Sequence, residues 1–426
     1  MVLTSLLATL AACNREGPAA EPPRTQPSGP QAIRIGALLP LTGEQAATGV
    51  AARHLLESRL GQLNQDHADD STYTFELVVV DTESDPAVAQ QLFEDLADDG
   101  VKMTIGPFSN AELKAIQQLS NERSILVASP GSSAIAFSLD DNILRFVPDD
   151  AVQAAAIVDL VRETGVRTVA PMWRDDPGNS ELRASIDADV RALGGAMLDG
   201  LPYPPDATEF AASVHALSDE ITAAIDAVGP GNESTIGVVL AGEDEVPQLL
   251  TLAAGEPHLG EVRWFGAAGI ARTPELVANP SAAEFAALVG LPSPAFGLDP
   301  GAAARWGPIV AEVQGQTGVR PDAIALAAYD ALDVLVAAIV EMGFPAADAS
   351  RSEVGELLTE AQSQSLILEG VTGPLKLNEF GDRVTGVFDF WSVCPAPDGY
   401  EWRRTAVWSP GPDGLTGGAI TGSAAC

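Results

Sequence analysis

The sequence predicts an α/β fold of two lobes, each a parallel sheet covered by helices on both faces. Three observations carry this. From residue 32, short apolar segments alternate with helical patterns; beyond Asp149 the alternation restarts; and the last fifty or so residues change to period-two β patterning. With 426 residues, 46% of them hydrophobic, the chain can fill two substantial cores. The predicted class is α/β, two doubly wound lobes.

In the first block, "IRIGALLP" reads as a buried strand and residues 44–66 as a helix. "FELVVVDTE" is the second strand, followed by a helix that opens at Pro86 and stops at Gly100. "KMTIGPF" and the helix "NAELKAIQQLSNE" come next, then the strands "ILVASP" and "ILRFVP". Such near-continuous apolar strands suit a parallel sheet. In the second block "TVAPMWR", "STIGVVLAG" and "VRWFGAAG" read as strands, with helices near 179–194, 207–226 and 244–254. "AALVGLPSP" reads as a further apolar segment, and residues 301–342 as helical with a break at "GVRP". "LKLNEFGDRVTGVFDFWSV" and "EWRRTAVW" alternate as β-structure. No short fixed period repeats, which excludes a solenoid.

The chain begins "MVLTSLLATLAAC". This apolar run ends in Ala11, Ala12 and Cys13, and resembles a bacterial lipobox: residues 1–12 as signal peptide and Cys13 as the lipid anchor. No Lys or Arg precedes the run, a departure from that pattern. It is too short to span a bilayer as a helix. Residues 13–31 then supply the lipidated cysteine and a Pro-, Glu- and Gly-rich flexible tether. Together they place the body outside the cytoplasm, in the periplasm or at the cell surface, held to a membrane by lipid only. In that compartment Cys394 and Cys426 are expected to form a disulfide, the alternative being two free thiols.

Charge and composition exclude several functions. The chain carries 59 acidic against 23 basic residues, a formal net charge of −36, which repels phosphate backbones. Nucleic acid is therefore not an expected partner. The four histidines are scattered and no Cys-x-x-Cys occurs, so no metal site is expected. No cofactor motif is present. "SPGSSA" lacks the lysine of a phosphate-binding loop, and no histidine stands where a serine nucleophile needs one. The chain is not expected to be an enzyme.

In a parallel sheet the ligand crevice lies beyond the carboxyl ends of the strands. "PLTGEQAATG", "GPFSNAE" and "SPGSSA" follow the first, third and fourth strands of the first block. Their small polar residues, with helix N-termini behind them, suit an anion such as a carboxylate. Ser109, Asn110, Ser132 and Ser133 are the candidates; each could equally cap a helix with no ligand present.

"IRIGALLPLTGEQAATGVAARHLLE", "VVVDTESDPAVAQQLFEDLADDGVKMTIGPFSNAELKAIQQL", "ILVASPGSSA", "LAAYDALDVLVAAI" and "GPLKLNEFGDRVTGVFDF" resemble the leucine/isoleucine/valine-binding family of type I periplasmic binding proteins, from about residue 33 to 393. The resemblance implies two discontinuous lobes joined by a hinge that the chain crosses three times, near Val147–Asp149, Pro292–Phe296 and Arg383–Thr385. The N-terminal lobe would take residues 32–147 and 295–383, the C-terminal lobe 148–294 and 384–426. It also implies a receptor that closes on a small ligand and presents it to the inner-membrane permease of an ABC importer. The expected state is a monomer.

Carried over by position, the resemblance implies that Asn110, beside Ser109, and Ser133, beside Ser132, hold the ligand carboxylate. Gly131 would meet the ligand amine through its carbonyl, and Thr48 would form a wall. The second lobe departs from the family pattern. Ala268 stands where an acid would pair with a ligand ammonium, and Pro177 where an aromatic lid would sit. Asp175 and Asp176, next to Trp173, and Glu243 and Asp244 are nearby acids. Either one of them substitutes or the ligand has no ammonium. The rival function is a ligand-sensing module of the same fold that signals to a membrane partner.

Overall fold

The computed structural model describes residues 31–67, 73–342, 369–411, 417–423 and 426. The expected signal peptide, the Cys13 anchor and nearly all of the tether lie outside the described residues.

The first lobe is built in the order β1 (Gln31–Leu39), α1 (Ala46–Asp66), β2 (Tyr73–Asp81), α2 (Pro86–Asp98), β3 (Met103–Ile105), α3 (Asn110–Arg123), β4 (Leu126–Ser129) and β5 (Ile143–Pro148). The strand residues alternate between two covered faces. Ile33, Ile35, Ala37 and Leu39 of β1 join Leu55 and Leu56 of α1 in one core, while Leu38 joins Phe93, Leu96, Leu113 and Ile116 from α2 and α3 in the other. Burial on both faces is what the unbroken apolar runs encode. Local chemistry fixes the helix starts: Asp85 accepts from the amides of Ala87 and Val88 ahead of Pro86.

The second lobe follows with α4 (Asp150–Glu163), β6 (Thr168–Arg174), α5 (Pro177–Ala192), β7 (Ala196–Met197), β8 (Leu201–Tyr203), α6 (Ala211–Val228), β9 (Ile236–Ala241), α7 (Val246–Ala253), β10 (Arg263–Gly266), α8 (Pro274–Ala278) and α9 (Pro280–Val289). Its sheet runs β10-β9-β6-β7, with β8 also on β6, and every pairing is parallel. Helices α4 and α5 cover one face; α6, α7 and α9 cover the other. The segment "AALVGLPSP", expected to be one apolar unit, is divided: it is the end of α9 and then a strand.

That strand, β11 (Ser293–Phe296), leads to α10 (Ala303–Thr317) and α11 (Ala323–Met342), then β12 (Glu369–Gly370), β13 (Gly373–Pro374), β14 (Asp382–Arg383), β15 (Phe388–Ala396), β16 (Gly399–Ser409) and β17 (Ala419–Gly422). The chain returns to the first lobe here. β14 pairs parallel with β5, completing the order β14-β5-β4-β3-β1-β2, and α11 packs into the core beside α1. Residues 323–340 of α11 are long and apolar enough to cross a membrane, but 72% of that stretch is buried in the protein, as befits a core helix. β11, β15, β16 and β17 form an antiparallel sheet against the second lobe. Its tail is tied down twice. Cys394 and Cys426 form a disulfide with a Cα separation of 5.7 Å. The buried Asp159 of α4 accepts from Trp408 Nε1 at 3.0 Å and from the Gly418 amide at 2.7 Å.

Candidate functional site

The loops after β3 and β4 are laced to each other. Ser109 is the N-cap of α3, accepting from Glu112 N at 3.2 Å, and its hydroxyl donates to Glu112 Oε2 at 2.7 Å, a reciprocal cap at the helix entry. Ser132 donates to Ser109 O at 3.0 Å and receives Ser129 Oγ at 3.0 Å. Gly131 lies so close to Phe108 that a Cβ there would come within 2.1 Å of its carbonyl oxygen, which only glycine avoids. Ser109 and Ser132 thus shape the loops from inside.

Asn110 and Ser133 meet directly. The carboxamide oxygen of Asn110 accepts from Ser133 N at 2.9 Å and from Ala134 N at 3.2 Å. Two donors on one side fix the orientation of the amide. Asn110 is exposed, and its Nδ2 takes no partner among the described residues, so two N–H donors stand free at the N-terminus of α3. Thr48 sits in the first turn of α1 and donates to Asp322 Oδ2 at 2.7 Å. Arg272, from the loop after β10, reaches the same oxygen at 3.8 Å and lies over the Trp391 ring. A second-lobe cation therefore touches the first lobe. Glu181 of α5 does likewise, accepting from Ala136 N at 3.0 Å.

In the second lobe two of the four expected acids, Asp176 and Glu243, meet a cation that the sequence reading passed over, Arg174 at the end of β6, together with Glu245. Arg174 is 2.6 Å from Glu243, 3.5 Å from Asp176 and 3.7 Å from Glu245. Asp176 also caps α5, accepting from Asn179 N at 2.9 Å; Pro177, at the position of the expected lid, is the first residue of that helix. Asp175 accepts from Ser180 Oγ at 3.1 Å, and Asp244 is exposed. Trp173 faces away from these acids, under the Arg183 guanidinium. Burial pushes the Glu243 carboxyl up, opposed by Arg174 and reinforced by Asp176, Glu245 and Asp244. Glu245 is anchored by Tyr203 Oη at 2.6 Å; burial and that bond drive the phenol well above its ordinary value.

Asp150, the first residue of α4, was also missed. It is 7% exposed and lies at the passage between the lobes. Its amide donates to Ser133 O at 2.9 Å, the Ser133 hydroxyl bonds its carboxyl, and Gln153 Nε2 donates to Oδ1 at 2.6 Å. Gln153 Oε1 in turn accepts from Ala268 N at 2.9 Å. Burial pushes the Asp150 carboxyl up to about 7, against the hydrogen bonds from Ser133 and Gln153. Among the described residues no group of His, Cys, Asp and Glu is arranged to hold a metal ion.

These loops lie where the two lobes meet, at the carboxyl ends of the strands of two parallel sheets, the place where such folds take small molecules. The model of the family described as periplasmic binding protein matches residues 32–380. An uncharacterized protein of Methanocaldococcus jannaschii is 28% identical over 389 residues, covering 88% of this chain and 89% of that protein. Among solved structures, an ABC transporter substrate-binding protein from Desulfitobacterium hafniense complexed with Leu has a TM-score of 0.66 at 18% identity, covering 88% of this chain and 100% of that one. A solute-binding protein of an ABC transporter from Rhodopseudomonas palustris, in complex with 4-hydroxybenzoate, has a TM-score of 0.67 at 14% identity over 90% and 98% of the two chains. Matched over most of its length by the family model and sharing the bilobal architecture of these structures, the chain belongs to the periplasmic binding protein family and has the type I fold of its leucine/isoleucine/valine-binding members.

Proposed function

We propose that the protein is an extracytoplasmic receptor that captures a small carboxylate-bearing solute, an amino acid or a similar molecule, between its lobes and hands it to the permease of an ABC importer. The observation that carries this is the fixed amide of Asn110. Its oxygen is held by Ser133 N and Ala134 N, so its Nδ2 donors, beside a helix N-terminus, are offered to an oxygen acceptor. The two solved neighbours named above hold leucine and 4-hydroxybenzoate, both carboxylates. The Cys13 anchor and tether fit a receptor kept near a membrane partner, and Cys13→Ser is expected to release the protein from the membrane fraction.

Asn110→Asp tests the reading. The aspartate keeps both acceptor bonds to Ser133 N and Ala134 N, and suits a helix N-terminus, so the unliganded melting temperature should not fall. It replaces two donors by an anion, so affinity for a carboxylate found in a thermal-shift screen should drop at least a hundredfold, about 2.7 kcal/mol. Equal carboxylate affinity in the two proteins by calorimetry, or a screen in which only uncharged solutes bind, would overturn it.

A further inference from the structure

Arg272 stands in the loop between β10 and α8 with φ of 67°, in the left-handed region that a residue other than glycine seldom takes. The loop is fastened on either side of it: Ala268 N donates to Gln153 Oε1 at 2.9 Å, and Trp402 Nε1 donates to Thr273 O at 2.8 Å. The Arg272 guanidinium lies 5.5 Å from the centre of the Trp391 ring, and its Nη2 is 3.8 Å from Asp322 Oδ2 in the first lobe. Asp322 is held as firmly. Its Oδ1 accepts from Ala325 N at 2.9 Å at the start of α11, and its Oδ2 accepts from Thr48 Oγ1 at 2.7 Å. An exposed ion pair is usually weak because two long side chains must be ordered to make it. Here the arginine is already laid on an indole from a fixed loop, and the aspartate is a helix cap on a short stem. Both are in place before the lobes meet.

We propose that Arg272 and Asp322 form a latch between the lobes, made as they close, which sets how much of the ligand-free receptor rests in the closed form. This rests on the capture of a solute between the lobes, and not on the carboxylate reading of Asn110. Both lobes carry an excess of acidic residues, so like charge opposes their approach. An arginine of one set opposite an aspartate of the other offsets that repulsion where they touch. A contact present in the closed form and absent from the open one biases the equilibrium by its own free energy. It therefore changes the affinity for every solute by the same factor, whatever the solute's chemistry. The neighbouring acid Asp389 does not compete for this role, because Arg404 pairs with it at 3.3 Å within the second lobe.

The test is small-angle scattering of the intact, ligand-free protein and of Arg272→Met, Asp322→Asn and the double variant. Methionine keeps an apolar cover on Trp391, and asparagine keeps an acceptor for Ala325 N, so the fold should persist. Each single variant is expected to have a larger radius of gyration than the wild type, and the double variant no larger than either, because all three lose the same contact. Calorimetry with L-leucine, 4-hydroxybenzoate and the hits of a thermal-shift screen gives a second readout. Arg272→Met should weaken every solute that binds the wild type by one common factor, about three- to fivefold. Scattering curves that superimpose for wild type and variants would overturn the latch. So would expansions that add in the double variant, or an expansion that comes with loss of secondary structure by circular dichroism. Loss of one solute while others keep their affinity would also overturn it, and would make Arg272 a ligand contact. A panel in which nothing binds would count against solute capture, while the scattering still decides the latch.

Discussion

In the first lobe the loops after β3 and β4 are held to each other by neutral groups: serine hydroxyls, one carboxamide and backbone amides, braced from behind by Arg145, which grips both Asp382 and the Ala134 carbonyl out of contact with water. In the second lobe the matching loops are held by Arg174 among Glu243, Asp176 and Glu245, with Glu243 about half exposed. Bonds of the first kind have narrow geometry and little sensitivity to ions. Those of the second act over longer distances and are screened by salt. One jaw is a fixed template; the other can adjust as the lobes meet. In a chain of net charge −36, placing an arginine at the centre of the acidic jaw also limits the repulsion there.

The strongest way to break this contrast is Arg145→Met. It strands Asp382 as an uncompensated buried charge and should cost about 3–5 kcal/mol in urea unfolding, nearly independent of salt. A cost under 1 kcal/mol would mean that the first jaw has no ionic brace. Next is Cys426→Ser. The closed loop of 32 residues predicts a loss of about 3–4 kcal/mol, felt in the second lobe and its C-terminal sheet; hydrogen exchange spread evenly over both lobes would contradict that. Ser109→Ala should cost about 1 kcal/mol by removing the α3 cap, with carboxylate affinity changed less than threefold; a large loss of affinity would make Ser109 a ligand contact after all. Arg174→Met should change stability by about 1 kcal/mol or less, and the effect should shrink at molar salt. Salt-independent loss would place Arg174 with the buried braces of the first lobe.

The sheets were legible because strands covered on both faces read as apolar runs, and the helices because Pro86, Gly100 and the capping residues mark their ends. β7 and β8 were not, since two or three residues carry no period. β11 was hidden by Pro292 and Pro294, which suggest a loop. A proline is tolerated there because β11 lies at the edge of its sheet. In the site, the capping reading of Ser109 was available from the Ser-x-x-Glu spacing. The embrace of Asn110 and Ser133 was not, because it joins residues 23 apart in the chain through tertiary contact. Arg174 was counted as the end of a strand and so left out of the charge of its own loop. Asp150 looked like any acid in the first turn of a helix, and only its burial against Ser133 and Gln153 separates it from one.

The placement of β14 has a temporal consequence. The edge of the first sheet is supplied by residues 382–383, after the chain has visited the second lobe, and that lobe in turn needs β15 to β17 to seat Trp408 against Asp159. Neither lobe can therefore finish before most of the polypeptide has been synthesised, and neither can act as an early folded unit that blocks the other. A nascent chain therefore stays without the final edges of both sheets until most of it has been made.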